Sequence, residues 1–338
     1  MKKVLCFGEV LLRFSPDDAG EWLHTNKLAA FIGGAELNVA TALARWNIPA
    51  KYFTAVPDNY LSKQLIDVIS KSNIDTSAIC YTGDRLGIYY LLQGADLKHT
   101  SVIYDRAGSS LATLGTGTIN WDEVLNDVSW FHFSAITPAL STAAVALCHE
   151  VLEACYVKGI PISVDLNYRS KLWQYGSLPV EIMPELVKYC QVIMGNIWAA
   201  NTLLGIEVDE DIHSKKSKQA YLDHSAVTAA KIMEQYPKCK SVANTFRFDK
   251  GEAGIEYYTS LHTAGRQYLS QQYETETIIN KVGSGDCFMG GLIYGFIQNH
   301  SPQQVIDFAT SAAVGKLYEA GDTTSQQIET IQQRINNG

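Results

Sequence analysis

The sequence predicts an α/β protein in which a mainly parallel sheet is covered by helices on both faces. Strand-like and helix-like segments alternate along the chain, as they do in repeated strand–helix–strand units. A composition of 46% hydrophobic and 18% charged residues over 338 residues can fill the core of such a fold. One region, residues 87–106, breaks the alternation with two β-rich runs. We therefore expect one α/β body that carries a small β appendage.

Strands are predicted where short apolar runs are bounded by turn residues, at Val4–Gly8, Lys51–Val56, Trp130–Ala135, Pro161–Leu166, Gln191–Gly195 and Lys240–Asn244. Helices are predicted between most of them, at Leu37–Trp46, Tyr60–Ser72, Thr142–Lys158 and Ser217–Tyr236. In residues 87–106 a Gly-Ala-Asp turn at 94–96 separates the two runs, which predicts a hairpin. No repeat, low-complexity tract or Pro/Ser-rich linker divides the chain, so we expect a single domain over 1–338.

The last third of the chain predicts two packed helices. The first follows INKVGSGDCFMGG (279–291), and the glycines inside it each weaken a helix by roughly 1 kcal/mol. Glycines tolerated at that cost predict the close approach of a neighbouring element. The second helix is predicted to begin at Ser301-Pro302-Gln303-Gln304, which combines an N-cap serine, a first-turn proline and a glutamine three residues after the cap. Gly321 is predicted to end it.

Composition excludes several classes of function. A net charge of −8 argues against nucleic-acid binding, which needs a basic surface. Seven cysteines without a Cys-x-x-Cys pair fit reduced thiols in the cytoplasm better than a disulfide framework or a zinc site. The N-terminal MKKVLCFGEVLLRF predicts a first strand, not a signal peptide. Residues 129–148 lack Asp, Glu, Lys and Arg, but Pro138 and several hydroxyl residues argue against a membrane span.

The sequence Gly-Ser-Gly-Asp at 283–286 stands directly before a predicted helix. One interpretation is a permissive turn in which Asp286 caps the helix. The other is an anion cradle, in which glycines let a phosphate approach the N–H groups of the helix N-terminus and Asp286 acts as a base beside it. Bare backbone at Gly285 would serve this cradle and allow a positive φ. No Walker motif and no Gly-x-Gly-x-x-Gly occurs, and the motif alone favours the turn.

Two longer motifs carry a resemblance to a known family. GGAELNVATALARW (33–46) resembles the N-terminal signature of the ribokinase-like (PfkB) sugar kinases, and NKVGSGDCFMGG (280–291) resembles their C-terminal signature, about 250 residues later. VIYDRAGSSLA (102–112), HFSAITPALS (132–141) and SVDLNYRSKLW (163–173) resemble the 2-keto-3-deoxygluconate kinase branch. The resemblance covers nearly the whole chain and is weakest from about 197 to 278. It implies a three-layer fold with a small β-lid formed from parts of about 9–30 and 86–106, and it favours the anion cradle.

The resemblance also implies roles for individual residues. Asp286 resembles the catalytic base, and Gly283, Ser284 and Gly285 resemble the anion hole for the transferring phosphoryl group. The residues that resemble substrate contacts are Gly33, Gly34, Asn38, Tyr89, Tyr104, Arg106, Ile136 and Arg169. The residues that resemble nucleotide contacts are Asn196, Thr245, Arg247, Gly283 and Gly285. The implied cofactors are ATP and Mg²⁺.

Simpler structural alternatives exist for several of these residues. Gly33-Gly34 could form a plain turn, Tyr89 and Tyr104 could be a cross-strand packing pair, and Arg169 could pair with Asp165. The chain also departs from the family pattern. Asn280 stands where the C-terminal signature begins with Asp, and Ala199 stands where the Asn-x-x-Glu element has its Glu. The usual glycine after the sixth strand is missing from VANTFRF (242–248). No metal ligand is assigned.

The resemblance implies ATP-dependent phosphorylation of a sugar or sugar acid, with 2-keto-3-deoxygluconate converted to its 6-phosphate. Two alternatives stay open, a kinase of a neutral sugar such as fructose or ribose and a catalytically weak sugar-binding relative. The expected partner is a small-molecule sugar, not a nucleic acid or a membrane. We also expect a cytoplasmic homo-oligomer that assembles through the β-lid.

Overall fold

The computed structural model describes residues 2–16, 20–24, 26–92, 102–215, 217–251 and 254–337. Its strands are β1 (Lys3–Phe7), β2 (Leu11–Ser15), β3 (Ala29–Gly33), β4 (Ala50–Phe53), β5 (Ala55–Val56), β6 (Ile74–Asp75), β7 (Cys80–Tyr81), β8 (Gly87–Tyr90), β9 (Ile103–Asp105), β10 (Val128–Ser134), β11 (Ile162–Asp165), β12 (Val192–Gly195), β13 (Ser241–Lys250), β14 (Gly254–Thr263), β15 (Arg266–Leu269) and β16 (Tyr273–Thr275). Its helices are α1 (Ala35–Arg45), α2 (Tyr60–Lys71), α3 (Trp121–Val124), α4 (Thr142–Val157), α5 (Pro179–Val187), α6 (Ile197–Leu204), α7 (Lys218–Gln235), α8 (Ser284–Ile297), α9 (Pro302–Lys316) and α10 (Ile328–Asn337).

The central sheet has ten strands in the order β15-β14-β13-β12-β11-β10-β1-β4-β6, with β16 paired to β14. The strands from β13 to β6 along this order pair in parallel, and β14, β15 and β16 add an antiparallel edge. The prediction of a mainly parallel sheet is therefore confirmed. The predicted strand 51–56 is split between β4 and β5, and β5 pairs with β7 in a separate two-stranded sheet.

Two hydrophobic cores lie on opposite faces of the central sheet, because side chains alternate along a buried strand. On β1, Leu5 and Phe7 belong to the core that α4 and α5 cover. Val4 and Cys6 belong to the core that α1, α8 and α9 cover. This alternation gives the three-layer arrangement of helices, sheet and helices.

Helices α8 and α9 pack closely, as the glycines predict. A Cβ atom on Gly291 would lie only 2.5 Å from the Cα atom of Ala309 in α9. The capping box of Ser301 and Gln304, with Pro302 in the first turn, is also present. The predicted end of α9 at Gly321 is wrong. The helix ends at Lys316, and Gly321, with φ of 79°, forms a bend in the loop that follows.

A second, four-stranded sheet has the order β3-β2-β8-β9, and we call it the small sheet. Strands β8 and β9 pair antiparallel, as the two β-rich runs of residues 87–106 predict. The turn predicted at 94–96 lies outside the described residues. That the small sheet acts as a lid on a single domain stays a prediction. In the part of the chain that the structure describes, no helix is both long enough and apolar enough to cross a bilayer.

Candidate active site

A cleft of about 510 Å³ opens at the carboxyl ends of the parallel strands. Its walls include residues that follow β1, β10, β11 and β12 and the first residues of α8. Strands β2, β8 and β9 of the small sheet contribute further side chains. Open α/β sheets bind their ligands in such crevices outside the carboxyl ends of their strands. This cleft is therefore the candidate active site.

Every site residue predicted from the sequence lines this cleft except Gly33. The lining residues are Gly34, Asn38, Tyr89, Tyr104, Arg106, Ile136, Arg169, Asn196, Thr245, Arg247, Gly283, Ser284, Gly285 and Asp286. Gly33 ends β3 and packs beside Leu11 and Asp322 instead. A position in the wall is compatible with each predicted role, but the roles themselves stay predictions.

Helix α8 begins in the cleft without a side-chain cap, because its N-cap residue is Gly283. Gly283 has φ of 79°, the left-handed conformation that glycine adopts without strain. Ser284 donates its hydroxyl to the carbonyl of Ala313 at 3.0 Å. The first N–H groups of a helix lack intrahelical partners and carry the positive end of its dipole. Residues 283–285, which we call the anion cradle, therefore have the geometry of an anion site.

Gly285 differs from the expectation for it. Gly285 lies within the first turn of α8, and its φ is not positive. The residue with a positive φ is Gly283 instead. A Cβ atom on Gly285 would have the Cε atom of Met194, at 4.0 Å, as its nearest neighbour. A side chain at 285 therefore has room on the protein side, and the two glycines can be tested separately.

Asp286 lies in the first turn of α8 and is 8% exposed. Its carboxylate accepts a hydrogen bond from Nδ2 of Asn38 at 2.7 Å and does not cap the helix. The pKa of Asp286 is raised to about 7, with burial as the largest cause and the charges of Glu36 and Asp322 acting in the same direction. The hydrogen bond from Asn38 and the charge of Arg169 act in the opposite direction. A buried carboxyl group that titrates near neutral pH is suited to act as a general base.

Helix α1 also begins in the cleft with a glycine as its N-cap. Gly34 has φ of 146°, and a Cβ atom there would lie 2.7 Å from the backbone oxygen of Glu9. One turn later the buried Asn38 faces Asp286, and its Oδ1 atom has no hydrogen-bond partner among the described residues. A buried polar atom left unpaired is unfavourable by about 1–3 kcal/mol. A hydroxyl group of a bound ligand could satisfy it.

A second buried acid, Glu36, lines the cleft beside Asn38. It accepts hydrogen bonds from the backbone N–H and the hydroxyl of Ser134. Burial raises the pKa of Glu36, and the hydrogen bond from the Ser134 side chain opposes this shift. A Cβ atom on Gly8 would overlap the Glu36 carboxylate, so glycine at 8 makes room for this acid. The negative charge of Glu36 in turn acts to raise the pKa of Asp286.

On the small sheet, Tyr89 and Tyr104 stand opposite each other with ring centroids 6.1 Å apart. They form a cross-strand pair and also line the cleft. The Tyr89 hydroxyl donates to Oδ2 of Asp322 at 3.0 Å. Arg106 follows β9, and its Nε atom donates to Oε2 of the buried Glu9 at 2.5 Å. The charge of Arg106 is therefore already balanced within the protein.

Two further predicted substrate contacts lie in the loops after β10 and β11. Ile136 follows β10, and its backbone N–H donates to Oγ of Ser134 at 3.2 Å. Arg169 follows β11, is half-buried, and donates from Nη1 to the backbone oxygen of Tyr168 at 3.0 Å. The alternative in which Arg169 pairs with Asp165, another residue of the wall, stays open.

The predicted nucleotide contacts come from β13 and the start of α6. Asn196 caps α6 by accepting a hydrogen bond from the N–H of Ala199 at 2.8 Å. Thr245 and Arg247 lie on β13 and reach the same cleft. Asn280 accepts from the N–H of Val282 at 3.0 Å and donates to the oxygen of Gly321 at 3.1 Å. Both ends of the Asn280 amide therefore hold the loop that leads to the anion cradle.

No site role was predicted from the sequence for four acids of the wall, and one of them, Asp165, appeared only as an alternative partner of Arg169. Glu9 and Glu36 had weak signals, because Glu9 follows the first strand and Glu36 stands inside the motif GGAELN. Asp322 had none, because it lies in an irregular loop beyond α9 and reaches the cleft only through tertiary folding.

Comparisons with known proteins identify the family and the fold. The family model for pfkB family carbohydrate kinases matches residues 1–329. A 2-dehydro-3-deoxygalactonokinase of Haloferax volcanii is 28% identical over 97% of this chain and 96% of its own. The structure of a 2-dehydro-3-deoxygluconokinase of Thermotoga maritima superposes with a TM-score of 0.89 at 31% identity, over 99% of this chain and 100% of that one. A fructokinase of Xylella fastidiosa with bound ATP has a TM-score of 0.77 at 17% identity, covering 100% of this chain and 99% of that one, a likeness of fold alone.

Proposed function

The chain belongs to the pfkB family of carbohydrate kinases, and from that premise we propose that it transfers the γ-phosphoryl group of ATP to an acidic sugar. The proposed substrate is 2-keto-3-deoxygluconate, which is also called 2-dehydro-3-deoxygluconate, and the product is its 6-phosphate. The observation that carries the proposal is the buried Asp286 beside the uncapped start of α8. The names of the two relatives that act on 2-dehydro-3-deoxy sugar acids support the substrate class.

In the proposed reaction Asp286 accepts the proton of the attacking sugar hydroxyl. The hydroxyl oxygen bonds to the γ-phosphorus while the bond from that phosphorus to the bridging oxygen of ADP breaks. A pKa of about 7 lets the carboxylate be ionised before the reaction and hold the proton after it. The backbone N–H groups of the anion cradle stabilise the negative charge on the transferring oxygens, and the positive end of the α8 dipole adds to this.

The residues of the cleft do not form a protein cage for Mg²⁺. Ala199 offers no carboxylate, and both ends of the Asn280 amide are engaged. Within the described residues, no group of three or more His, Cys, Asp or Glu side chains could hold a metal ion. Magnesium is often bound through substrate phosphates and keeps several waters. We therefore propose that Mg²⁺ enters with ATP, and we assign it no protein ligand.

Two arginines of the cleft, Arg169 and Arg106, are candidates to bind the carboxylate of the substrate. The guanidinium of Arg169 has five N–H donors, of which one serves the Tyr168 carbonyl, so it can hold a carboxylate with two parallel hydrogen bonds. Arg106 already shares its Nε with Glu9, so a substrate carboxylate would meet only its Nη groups. We therefore assign the carboxylate first to Arg169 and second to Arg106.

The test is a substrate panel with ATP and Mg²⁺, read by ADP release. We expect the highest kcat/KM for 2-keto-3-deoxygluconate or its galactonate epimer, above fructose and ribose. A charge-assisted hydrogen bond contributes roughly 1.5–3 kcal/mol, or about ten- to over a hundredfold in affinity. Arg169→Ala should therefore raise KM for the acid by at least about tenfold, with less effect on a neutral hexose. Arg169→Lys, which keeps the charge but lacks the planar fork, should recover part of the loss.

The role of Arg106 is tested with a single variant and a double variant. Arg106→Ala should also raise KM for the acid by at least about tenfold, but it leaves the Glu9 carboxylate buried without its partner. The double variant Glu9→Gln with Arg106→Ala removes both charges. An acid-specific rise in KM in both variants supports contact with the carboxylate, whereas equal losses on acid and neutral sugars make Arg106 a packing residue of the small sheet.

A neutral sugar is the second candidate substrate, and the internal ion pair of Arg106 with Glu9 favours it, because it removes one cation from the acid's reach. A higher kcat/KM for fructose or ribose than for the acids would establish this alternative. ADP release with none of the sugars would indicate a sugar-binding relative with little catalytic activity.

The proposal also includes the oligomeric state of the protein and its place in the cell. We propose a homo-oligomer that pairs through the small sheet, whose outer strands are β3 and β9. Ile103 on β9 is 61% exposed, which favours such a contact. Light scattering of the wild type and of Ile103→Lys tests this, and a monomeric wild type contradicts it. The seven free cysteines support a reducing cytoplasm.

A further inference from the structure

One row of side chains crosses all four strands of the small sheet and consists of Phe31, Arg13, Tyr89 and Tyr104. The guanidinium carbon of Arg13 lies 3.9 Å from the ring centroid of Phe31, and Arg13 is 2% exposed. Because strand neighbours in register share one face of a sheet, this row is a single surface. Two of its members, Tyr89 and Tyr104, line the cleft.

One carboxylate, that of Asp322, contacts two members of the row, Arg13 and Tyr89. Oδ1 of Asp322 lies 2.7 Å from Nη2 and 2.9 Å from Nε of Arg13. Oδ2 of the same carboxylate accepts from the Tyr89 hydroxyl at 3.0 Å. The side chain of Asp322 is 1% exposed, so both charges of this pair are removed from solvent. Such a pair is rigid, because any displacement leaves a buried charge without its partner.

The backbone of Asp322 contacts the anion cradle. A Cβ atom on Gly283 would lie 2.0 Å from the Asp322 carbonyl oxygen, so this carbonyl rests directly on the N-cap of α8. Val282, the residue before the cradle, packs in one cluster with Leu11 and Tyr89 of the small sheet. Asp322 thus contacts the small sheet with its side chain and the cradle with its main chain.

We propose that Arg13 and Asp322 are positioning residues that couple the small sheet to the anion cradle, so that sugar bound against the sheet improves the binding of the nucleotide phosphates. This inference rests on the proposed function, because it requires sugar and nucleotide to occupy the cleft together. Neither residue was predicted from the sequence. The coupling is a property of the pair and differs from the chemistry of Asp286.

The test measures how sugar changes the affinity for a nucleotide. Isothermal titration of AMP-PNP, an ATP analogue with a non-hydrolysable γ-phosphate, is carried out with and without the panel sugar that the wild type phosphorylates best. We expect the sugar to tighten AMP-PNP binding to the wild type by at least about fivefold, the lower range of typical couplings. In Arg13→Gln with Asp322→Asn, which keeps hydrogen bonding but removes both charges, the sugar should no longer change this affinity. Its kcat should fall roughly ten- to a hundredfold, and its KM for the sugar should change little.

Asp127→Asn is the control, because it removes an aspartate from an ion-pair cluster at the opposite end of the sheet. It should keep the wild-type coupling. A double variant that melts earlier but keeps the coupling and kcat would make the Arg13–Asp322 pair purely structural and overturn the inference alone. A wild type without coupling overturns it as well. A wild type that phosphorylates no sugar overturns the proposed function and this inference with it.

Discussion

The two ends of the central sheet carry clusters of charged side chains that differ in how their charges are compensated. At the amino end, Lys3 pairs with Asp75 at 2.7 Å and with Asp127 at 2.6 Å, and Lys51 pairs with Asp127 as well. Burial acts against the ionisation of Asp127, but the hydrogen bonds from Lys3 and Lys51 prevail, and its pKa is lowered. Hydrogen bonds to Asp127 and Asp75 raise the pKa of Lys3. The pKa of Asp75 is lowered as well, so Lys3, Asp75 and Asp127 are charged at neutral pH.

At the carboxyl end of the sheet, the pKa of an aspartate is shifted in the opposite direction. Asp286 is buried, has an amide and not a cation as its hydrogen-bond partner, and lies near the negative charges of Glu36 and Asp322. Its pKa is raised to about 7. Its ionised form is thus less stable in the folded protein than in water.

The aspartate at one end of the sheet therefore contributes to stability, and the aspartate at the other end is suited to reactivity. A carboxylate that meets two lysines contributes to folding and is unreactive as a base. A buried carboxylate whose pKa is raised reduces stability once it is ionised, and it is ready to take a proton. We therefore expect that removing a charge from the two ends will have opposite consequences for stability and for activity.

Asp286→Asn should have the largest effect on activity. We expect kcat to fall by roughly 10²–10⁴, the usual contribution of a positioned general base, while sugar binding persists. The folded pKa of about 7 exceeds the ordinary value of 3.8, so the native state binds the proton more tightly and its stability falls as pH rises from about 4 to about 7. Above pH 7 the variant should therefore melt at an equal or higher temperature than the wild type. Steady-state kinetics and calorimetry check both results.

A turnover within about tenfold of the wild type would remove Asp286 from the role of base. A lower melting temperature at pH 8 would contradict the raised pKa of Asp286.

Gly285→Val tests the anion cradle with the next largest effect. Its Cβ has room on the protein side, so the variant should fold, but its side chain would obstruct the backbone donors. We expect kcat to fall by roughly 10²–10³, the cost of losing such a donor, with much less effect on the sugar dissociation constant. Loss of sugar binding with kcat retained would place the glycines in the substrate pocket instead.

Gly283→Ala is the matched comparison for Gly285→Val. At 283 the φ is 79° and a Cβ would collide with the Asp322 carbonyl. Left-handed strain alone costs about 1–3 kcal/mol, so this variant should lose thermal stability as well as activity. Melting curves of the two variants distinguish them, and equal stability would mean that the α8 N-terminus differs from the structure described.

Asp127→Asn at the amino end should have the smallest effect. We expect the free energy of unfolding at pH 7 to fall by about 1 kcal/mol, the upper range for partly exposed pairs, with kcat unchanged. Because the folded pKa of Asp127 is lowered, the difference from the wild type should be present above the unfolded pKa and should disappear as pH falls through the folded one. Urea unfolding between pH 3 and pH 7 measures this, and a change in kcat would contradict the separation of the two ends.

Local patterns predicted much of this molecule. The six strands and four helices from the first 250 residues and the capping box of α9 all depend on periodicity or on signals within a few residues, and they are present. The predicted residues of the wall, among them Gly34, Asn38 and Asp286, came from segments that a family resemblance could recognise.

The features that the sequence could not predict depend on contacts between residues that are far apart in the chain. The pairing of Arg106 with Glu9 joins residues 97 positions apart, and that of Arg13 with Asp322 joins residues 309 apart. The antiparallel edge of β14 to β16 was also missed, because the prediction ended the preceding strand at Asn244 whereas β13 continues to Lys250. Compensation of charge, which distinguishes the two ends of the sheet, is therefore visible only in three dimensions.

The most direct test of the central claim is the pH dependence of kcat/KM for the preferred sugar at saturating ATP. We expect kcat/KM to rise about tenfold per pH unit below pH 7 and to level off above it, as a single ionisation of the ATP-bound enzyme before sugar binding requires. The plateau should begin close to the Asp286 pKa of about 7, and this ionisation should be absent from the residual activity of Asp286→Asn. A profile that is flat between pH 5 and pH 9, or one that Asp286→Asn leaves unchanged, would contradict the account.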